Sequence, residues 1–205
     1  MEVSFDVNSI GIVLDLAEHR ALGTGFALLR PNWYVTAKHV VVVDRMPRRE
    51  IAILVQAGRQ RARVHAMHPE VDLAVIELLD PPVCKTPLFP SYAGFTGSKG
   101  MLSLGYSPTL SGQSAPAGVV NGYPITSYET VVRERNTGHE DVITFNAPTS
   151  EGGNSGSPVL GTGGGVVGVI IENYVDDGKT LARATSLVPL LRGLLFIQDW
   201  SKLPP

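Results

Sequence analysis

One cysteine in 205 residues, Cys84, excludes an internal disulfide and a cysteine-based metal cluster, and fits a reducing compartment. No charge surplus is present either. The formal net charge is -2, so the chain has no global attraction for nucleic acid or an anionic membrane, and such a partner would need a local patch. No apolar run approaches the ~18 residues needed to cross a bilayer. The N-terminal MEVSFDVNSIGIVLDLAEHR lacks a basic segment followed by a long apolar core. These absences lead us to expect a soluble, cytoplasmic protein. With 43% hydrophobic residues the chain has enough apolar material for one domain or two small ones.

What is present is β signal. SIGIVLDL, GTGFALLR, WYVTAKHVVVV, EIAILVQ, RARVHAMH and DLAVIEL come first, then MLSLGY, GVVNGYPI, TVVRER, DVITFN, SPVLG and GGVVGVIIENYV, separated by Gly, Pro and Asn turns. Between Asp80 and Gly100 the run DPPVCKTPLFPSYAGFTGSKG has no periodicity and reads as a crossover between two β modules, 1–90 and 91–205. One helix is expected at the end, capped by Ser186, with Pro189 in its first turn and Leu187, Leu190, Leu191, Leu194 and Leu195 at helical spacing up to Trp200.

Three stretches carry candidate chemistry. TSEGGNSGSPVL packs Gly, Asn, Ser and Pro around Ser155. A serine hydroxyl becomes a useful nucleophile only beside a base and beside donors aimed at a developing oxyanion. Backbone N–H groups of Gly153 and Ser155 turned into one hollow would supply those donors, and glycine permits the dihedrals required. Taken alone, the stretch also has a plainer reading, a glycine-rich hairpin turn. His39, in NWYVTAKHVVVV, lies at the end of a strand pattern directly before four valines, where a satisfied core histidine is also a fair reading. Asp72, in HPEVDLAVIEL, puts a carboxylate at the head of an apolar strand, where burial requires a hydrogen-bonded partner. A histidine N–H meets that need: the carboxylate fixes the imidazole tautomer and stabilises the cation formed when the ring takes a serine proton. The order along the chain is His, Asp, Ser.

GTGFALLRPNWYVTAKHVV, EVDLAVIEL and TSEGGNSGSPVLG followed by VVGVIIENY, with LSLGY, AGVVNG and DVITFNAPTSEGGNSG in order between them, resemble the trypsin/chymotrypsin-like serine proteases, most closely their HtrA-like bacterial branch. The resemblance runs from about Gly23 to the last helix. It implies an all-β fold of two antiparallel six-stranded barrels with a C-terminal α-helix, and an active site between the barrels. It also implies a serine endopeptidase that works through an acyl-enzyme, with His39 as base, Asp72 as orienting carboxylate, Ser155 as nucleophile, and no metal or cofactor. Thr149 would form the floor of the primary specificity pocket, with Val169, Ile170, Ile171, Glu172 and Asn173 along its wall. Without an acidic floor, that pocket would suit an uncharged aliphatic residue. Ser157 departs from the family, where glycine is usual. Asn154 stands where digestive relatives have a buried aspartate that pairs with a freshly cut N-terminus, so cleavage activation is not expected. No PDZ-like sequence follows, so regulation and trimer assembly through that domain are not carried over.

The implied partners are a protein or peptide substrate and a possible regulatory protein, with no membrane. The alternative from a different class is a catalytically silent or latent protease-fold binding module engaged by a partner. Other features read more plainly. GGGVVG, Gly163 to Gly168, matches a dinucleotide-loop spacing but runs into a strand pattern. His65 and His68 form an H-x-x-H pair without zinc-ligand company. Arg45, Arg48, Arg49, Arg59, Arg61 and Arg63 read as a solvated, aggregation-resistant edge, so nucleic acid is not expected. Glu172, Asp176 and Asp177 read as a solvated hairpin tip.

Overall fold

Alternation is the driving pattern in the first half. In GRQRARVHAM, Arg59, Arg61 and Arg63 point outward while Gln60 and Ala62 are buried, which is the period of a strand with one wet face. A computed structural model describes residues 5–92, 94–96, 100–106, 121–135, 138–147 and 153–191. Its first half comprises β1 (Ile10–Asp15), β2 (Arg20–Ala27), β3 (Trp33–Thr36), a helical turn α1 (Lys38–Val41), a small hairpin of β4 (Val42–Val43) and β5 (Met46–Pro47), β6 (Ile51–Val55), β7 (Gly58–Met67) and β8 (Ala74–Leu78). Six of these close into an antiparallel barrel in the order β1-β2-β3-β8-β7-β6, with β1 pairing to β6. Bulges at Val13/Leu14 and Val64/Ala66 bend two of the strands, as tight closure demands. Val13, Tyr34, Val41, Ile51, Ile53 and Ile76 fill the interior. The Tyr34 hydroxyl, the polar end of a buried ring, donates to Asn8 O at 2.6 Å.

The second half contains β9 (Met101–Gly105), β10 (Asn121–Ile125), β11 (Glu129–Arg135), β12 (Gly138–Asn146), β13 (Pro158–Leu160), β14 (Val166–Asp176) and β15 (Lys179–Ser186). They form a curled antiparallel sheet in the order β10-β9-β13-β14-β15-β12-β11. Among the described residues the sheet has seven strands where six were expected, and β10 and β11 lie at its edges. Both strands suit that place. Pro124 in β10 has no N–H to offer a neighbour, and β11 carries Glu129 and Arg133, the charges that discourage edge-to-edge pairing. The β14–β15 turn takes positive φ at Asp177 (47°) and Gly178 (72°), so DDGK is the exposed hairpin tip that its composition suggests. GGGVVG leads into the strand β14, with no helix N-terminus to face a phosphate.

The aperiodic 80–100 segment is held in place by backbone hydrogen bonds to both halves. Leu88 N–H donates to Ala27 O at 2.9 Å and Leu29 N–H to Leu88 O at 3.1 Å. Directly after it, Val166 N–H donates to Phe89 O at 2.9 Å and Ser91 N–H to Val166 O at 2.8 Å. A common apolar cluster joins the halves: Ile10, Phe26, Leu28 and Val35 meet Leu104, Leu160, Val169 and Leu187. After β15, Ser186 Oγ accepts Val188 N–H at 3.2 Å and caps a helical turn over residues 188–191. Leu190 and Leu191 bury themselves in the shared cluster. Leu194, Leu195 and Trp200 lie outside the described residues.

The arginine cluster needs a correction. Arg48 is not solvated: its guanidinium donates to Asp15 Oδ2, and both side chains are almost fully covered. Arg61 and Arg63 stay largely exposed while pairing with Asp80 and Glu77, but β7 is flanked by β6 and β8, so they lie on the outer face of a closed barrel and not on a sheet edge. Asp15 Oδ1 also accepts the N–H groups of Ala17 (2.9 Å) and Glu18 (3.1 Å), closing the β1–β2 turn. Burial alone would raise the Asp15 pKa, but those two amides and the Arg48 charge outweigh it and hold the carboxyl below its usual range. A carboxyl with a depressed folded-state pKa contributes stability above its unfolded value, near 4, and loses it as pH falls through the folded value. Denaturation midpoints of the wild type should therefore change little from pH 7 to about 5 and drop below about 4. Asp15→Ala should lower stability at pH 7 by about 3 kcal/mol, because it strands the buried Arg48 charge, and should flatten the acid limb.

Candidate active site

The run WYVTAKHVVVV reads as strand with His39 at a strand end, but β3 stops at Thr36 and Lys38–Val41 form a single helical turn. The cause is a contact distant in sequence. Ala37, at the N-cap, has no side-chain acceptor, and Asp72 supplies one: its Oδ1 accepts His39 N–H at 2.9 Å. The second oxygen, Oδ2, lies 2.6 Å from His39 Nδ1. Asp72 thus grips His39 at both backbone and ring. Burial by itself would raise the Asp72 pKa. The hydrogen bonds and charge of His39, with the nearby Lys38 charge, outweigh it and keep the carboxyl below the usual range, so it is ionised at neutral pH. The His39 side chain is 48% exposed and Asp72 30%, so the imidazole reaches solvent while the carboxylate behind it is partly shielded.

Ser155 is placed by the turn between residue 153 and β13. Gly153 (φ 113°) and Gly156 (φ 89°) adopt left-handed conformations on either side of it. The turn is pinned to the first barrel. Thr24 Oγ1 donates to Gly153 O at 2.7 Å, Thr24 N–H donates to Ser155 O at 2.8 Å, and Tyr106 N–H donates to Thr24 Oγ1 at 3.0 Å. Behind the serine, Gly156 N–H donates to Ile170 O at 2.7 Å and Ile170 N–H to Ser157 O at 2.9 Å. Among the described residues, neither the Gly153 nor the Ser155 amide donates a backbone hydrogen bond. Ser157 fits because of its neighbour: a Cβ on Gly105 would come 1.8 Å from Ser157 Oγ, so the serine occupies room that only glycine on β9 leaves. Asn154 is buried and carries no charge to neutralise. Its carbonyl accepts Ser157 N–H at 2.9 Å.

His39, Asp72 and Ser155 line one open cavity of ≈ 500 Å³ together with Ile171, Glu172, Asn173, Arg133 and Arg183. Ser155 Oγ makes no hydrogen bond to His39 here, a spacing common in unliganded sites of this kind. The expected pocket wall divides. Ile171, Glu172 and Asn173 face the cavity, whereas Val169 and Ile170 are buried in apolar clusters. A register shift between Ile170 and Glu172 breaks the alternation there and turns Ile171 into the cavity. Thr149 lies outside the described residues. Glu172 is already engaged by Arg183, whose Nη1 is 2.6 Å from its Oε2. Arg133 and Arg183 escape a reading of the sequence, since only the pairing of β11, β12 and β15 brings them to Ser155. Thr24 escapes it too, although its place between the glycines of GTGF was a signal that a side chain was wanted where backbones approach. No group of three or more His, Cys, Asp or Glu suited to a metal occurs among the described residues. No helix among them is long and apolar enough to cross a membrane.

Two stacked β modules with a histidine–carboxylate pair and a serine facing one cleft define a class of protein built like the chymotrypsin-type hydrolases. The sequence profile of the trypsin-like peptidase domain matches residues 23–169, and the chain belongs to that family. Solved structures agree in fold. The Rv3671c protease from M. tuberculosis in its active form superposes with a TM-score of 0.67 at 23% identity, over 97% of this chain and 83% of that one. The MamO protease domain from Magnetospirillum magneticum gives 0.66 at 16%, over 94% and 97%. The HtrA-type protease AlgW with a decapeptide gives 0.64 at 16%, over 95% and 66%. The inactive form of Rv3671c matches about as well as the active one, with a TM-score of 0.66. A search of curated protein sequences found no match.

Proposed function

We propose that the protein is a serine endopeptidase. The observation that carries the reading is the convergence of His39, Asp72 and Ser155 on one cavity, with His39 Nδ1 held by Asp72. That bond puts a proton on Nδ1 and leaves Nε2 as the ring's basic nitrogen. In acylation, Ser155 Oγ bonds to the scissile carbonyl carbon and its proton passes to Nε2. The amides of Gly153 and Ser155 receive the oxyanion, and the imidazolium then protonates the departing amine. Water, deprotonated by the same nitrogen, hydrolyses the ester and frees Ser155. Ionised Asp72 stabilises the imidazolium in both halves. The fold of a peptide-bound HtrA-type protease supports a peptide or protein substrate. Ile171 in the cavity wall supports an uncharged aliphatic side chain next to the scissile bond.

The competing reading is a latent form that a partner engages, since the inactive form of one structural neighbour matches this fold about as well as its active form does. Rapid mixing with an activated ester distinguishes the two. A burst of leaving group stoichiometric with enzyme, followed by slower turnover, is expected of an acyl-enzyme. Folded protein giving neither burst nor turnover contradicts the first reading.

A further inference from the structure

The two histidines of the H-x-x-H pair have separate surroundings. His65 lies against Trp33, ring centroids 5.3 Å apart, with its Nδ1 3.5 Å from Glu77 Oε2. His68 is buried, 7% exposed, at the head of the short turn that carries Asp72. Its Nδ1 accepts the N–H groups of Val71 at 3.0 Å and Glu70 at 3.2 Å. Its backbone closes the same turn, His68 N–H donating to Leu73 O at 2.9 Å. From outside, Lys38 Nζ donates to His68 O at 2.9 Å and reaches Pro69 O at 3.5 Å. Adjacent residues of α1 therefore hold the two ends of one turn: Lys38 the start at His68 and Pro69, His39 the end at Asp72.

We propose that His68 is a positioning residue, whose imidazole, as an internal acceptor for two backbone amides, sets the turn so that Asp72 can present both oxygens to His39, with Lys38 as the outer tie. The inference rests on the reading of Asp72 as the orienting carboxylate. Two amides in a turn this tight must find an acceptor, and a buried ring nitrogen provides it in place of water. An accepting nitrogen needs its lone pair, so His68 is neutral with its proton on Nε2. The turn must be accurate because Asp72 makes two bonds at once, at 2.9 Å and 2.6 Å to different parts of His39. A shift of about 1 Å in such a constellation costs about 10²-fold in rate.

The test uses the intact chain and two readouts. The proton between His39 Nδ1 and Asp72 should resonate far downfield of the amides in the NMR spectrum, and should vanish in Asp72→Ala. That signal reports the pair whether or not the protein turns over substrate. In His68→Ala it should disappear or broaden by exchange with water, and kcat should fall about 10²-fold with KM nearly constant. His68→Asn places an amide oxygen close to where Nδ1 lies, so it should restore the resonance and bring kcat back to within about tenfold of wild type. Should the alanine variant not fold, the asparagine variant and the His68 tautomer, read from nitrogen shifts in the wild type, still decide the matter. An unchanged resonance in folded His68→Ala, failure of His68→Asn to restore it, or a proton on His68 Nδ1 overturns the proposal. If wild type shows the downfield resonance but no hydrolysis, the protease reading fails, and the role of His68 is still judged by the resonance.

Discussion

Ser155→Ala should lower kcat for peptide hydrolysis by about 10⁶-fold, with substrate binding little changed. His39→Ala should cost a similar factor, and the double variant should be no slower than either single one, because nucleophile and base act as a unit. Asp72→Asn is the more discriminating change. Its amide oxygen can still accept His39 N–H in place of Oδ1, so α1 keeps its cap. The amide NH₂, however, would face His39 Nδ1 where Oδ2 now lies 2.6 Å away, and a donor there forces the ring proton onto Nε2. The imidazole could then no longer take the serine proton, and kcat should fall about 10⁴-fold in a protein of near-normal stability. Steady-state kinetics on a fluorogenic peptide, with chemical denaturation to confirm folding, measures all four variants. Equal activity in Asp72→Asn and wild type would remove the carboxylate from the mechanism.

The second large effect concerns stability. A Cβ at Gly156 would lie 2.0 Å from Thr24 O and 2.3 Å from Thr36 Oγ1, at φ 89°. Neither neighbour can withdraw cheaply. Thr36 Oγ1 donates to that same Thr24 carbonyl at 2.7 Å, and Thr24 N–H is tied to Ser155 O at 2.8 Å. Left-handed backbone with a side chain costs about 1–2 kcal/mol, and forced overpacking about 1–3 kcal/mol or more. Gly156→Ala should therefore lose about 2–5 kcal/mol, and with it the placement of Ser155. Gly163→Ala is the control, since nothing lies within 4 Å of its Cβ position, and it should stay within about 0.5 kcal/mol. Urea denaturation curves of the two variants beside wild type give the comparison. A stable, soluble Gly156→Ala would mean that the turn is looser than these contacts imply.

How much of this was legible in the sequence depended on the range of the interaction. Strands with one wet face announce themselves locally, as Arg59, Arg61 and Arg63 do between buried neighbours, and the Ser186 cap needs only its own turn. Local pattern misplaced His39 on a strand, because its helical turn is capped by a carboxylate 33 positions away. It also made Arg48 a surface residue, since nothing near it in the chain reveals Asp15. Arg133 and Arg183 reach the cavity through strand pairing alone, and His68, half of an H-x-x-H pair without zinc-ligand company, gains a role only from the place of its ring inside the turn. The candidate His, Asp and Ser were legible for a different reason: each is a chemically conspicuous group in an apolar or glycine-rich setting, so residue type carried information that periodicity did not.

The most direct measurement is reaction of the folded protein with a fluorophosphonate, followed by peptide mass spectrometry. An ordinary neutral serine does not react at an appreciable rate, whereas one activated by an adjacent base beside oxyanion donors does. The adduct should form once per chain, on Ser155 alone, and should be absent in Ser155→Ala and His39→Ala. An adduct on another residue, or none on folded wild-type protein, would contradict a nucleophile at Ser155.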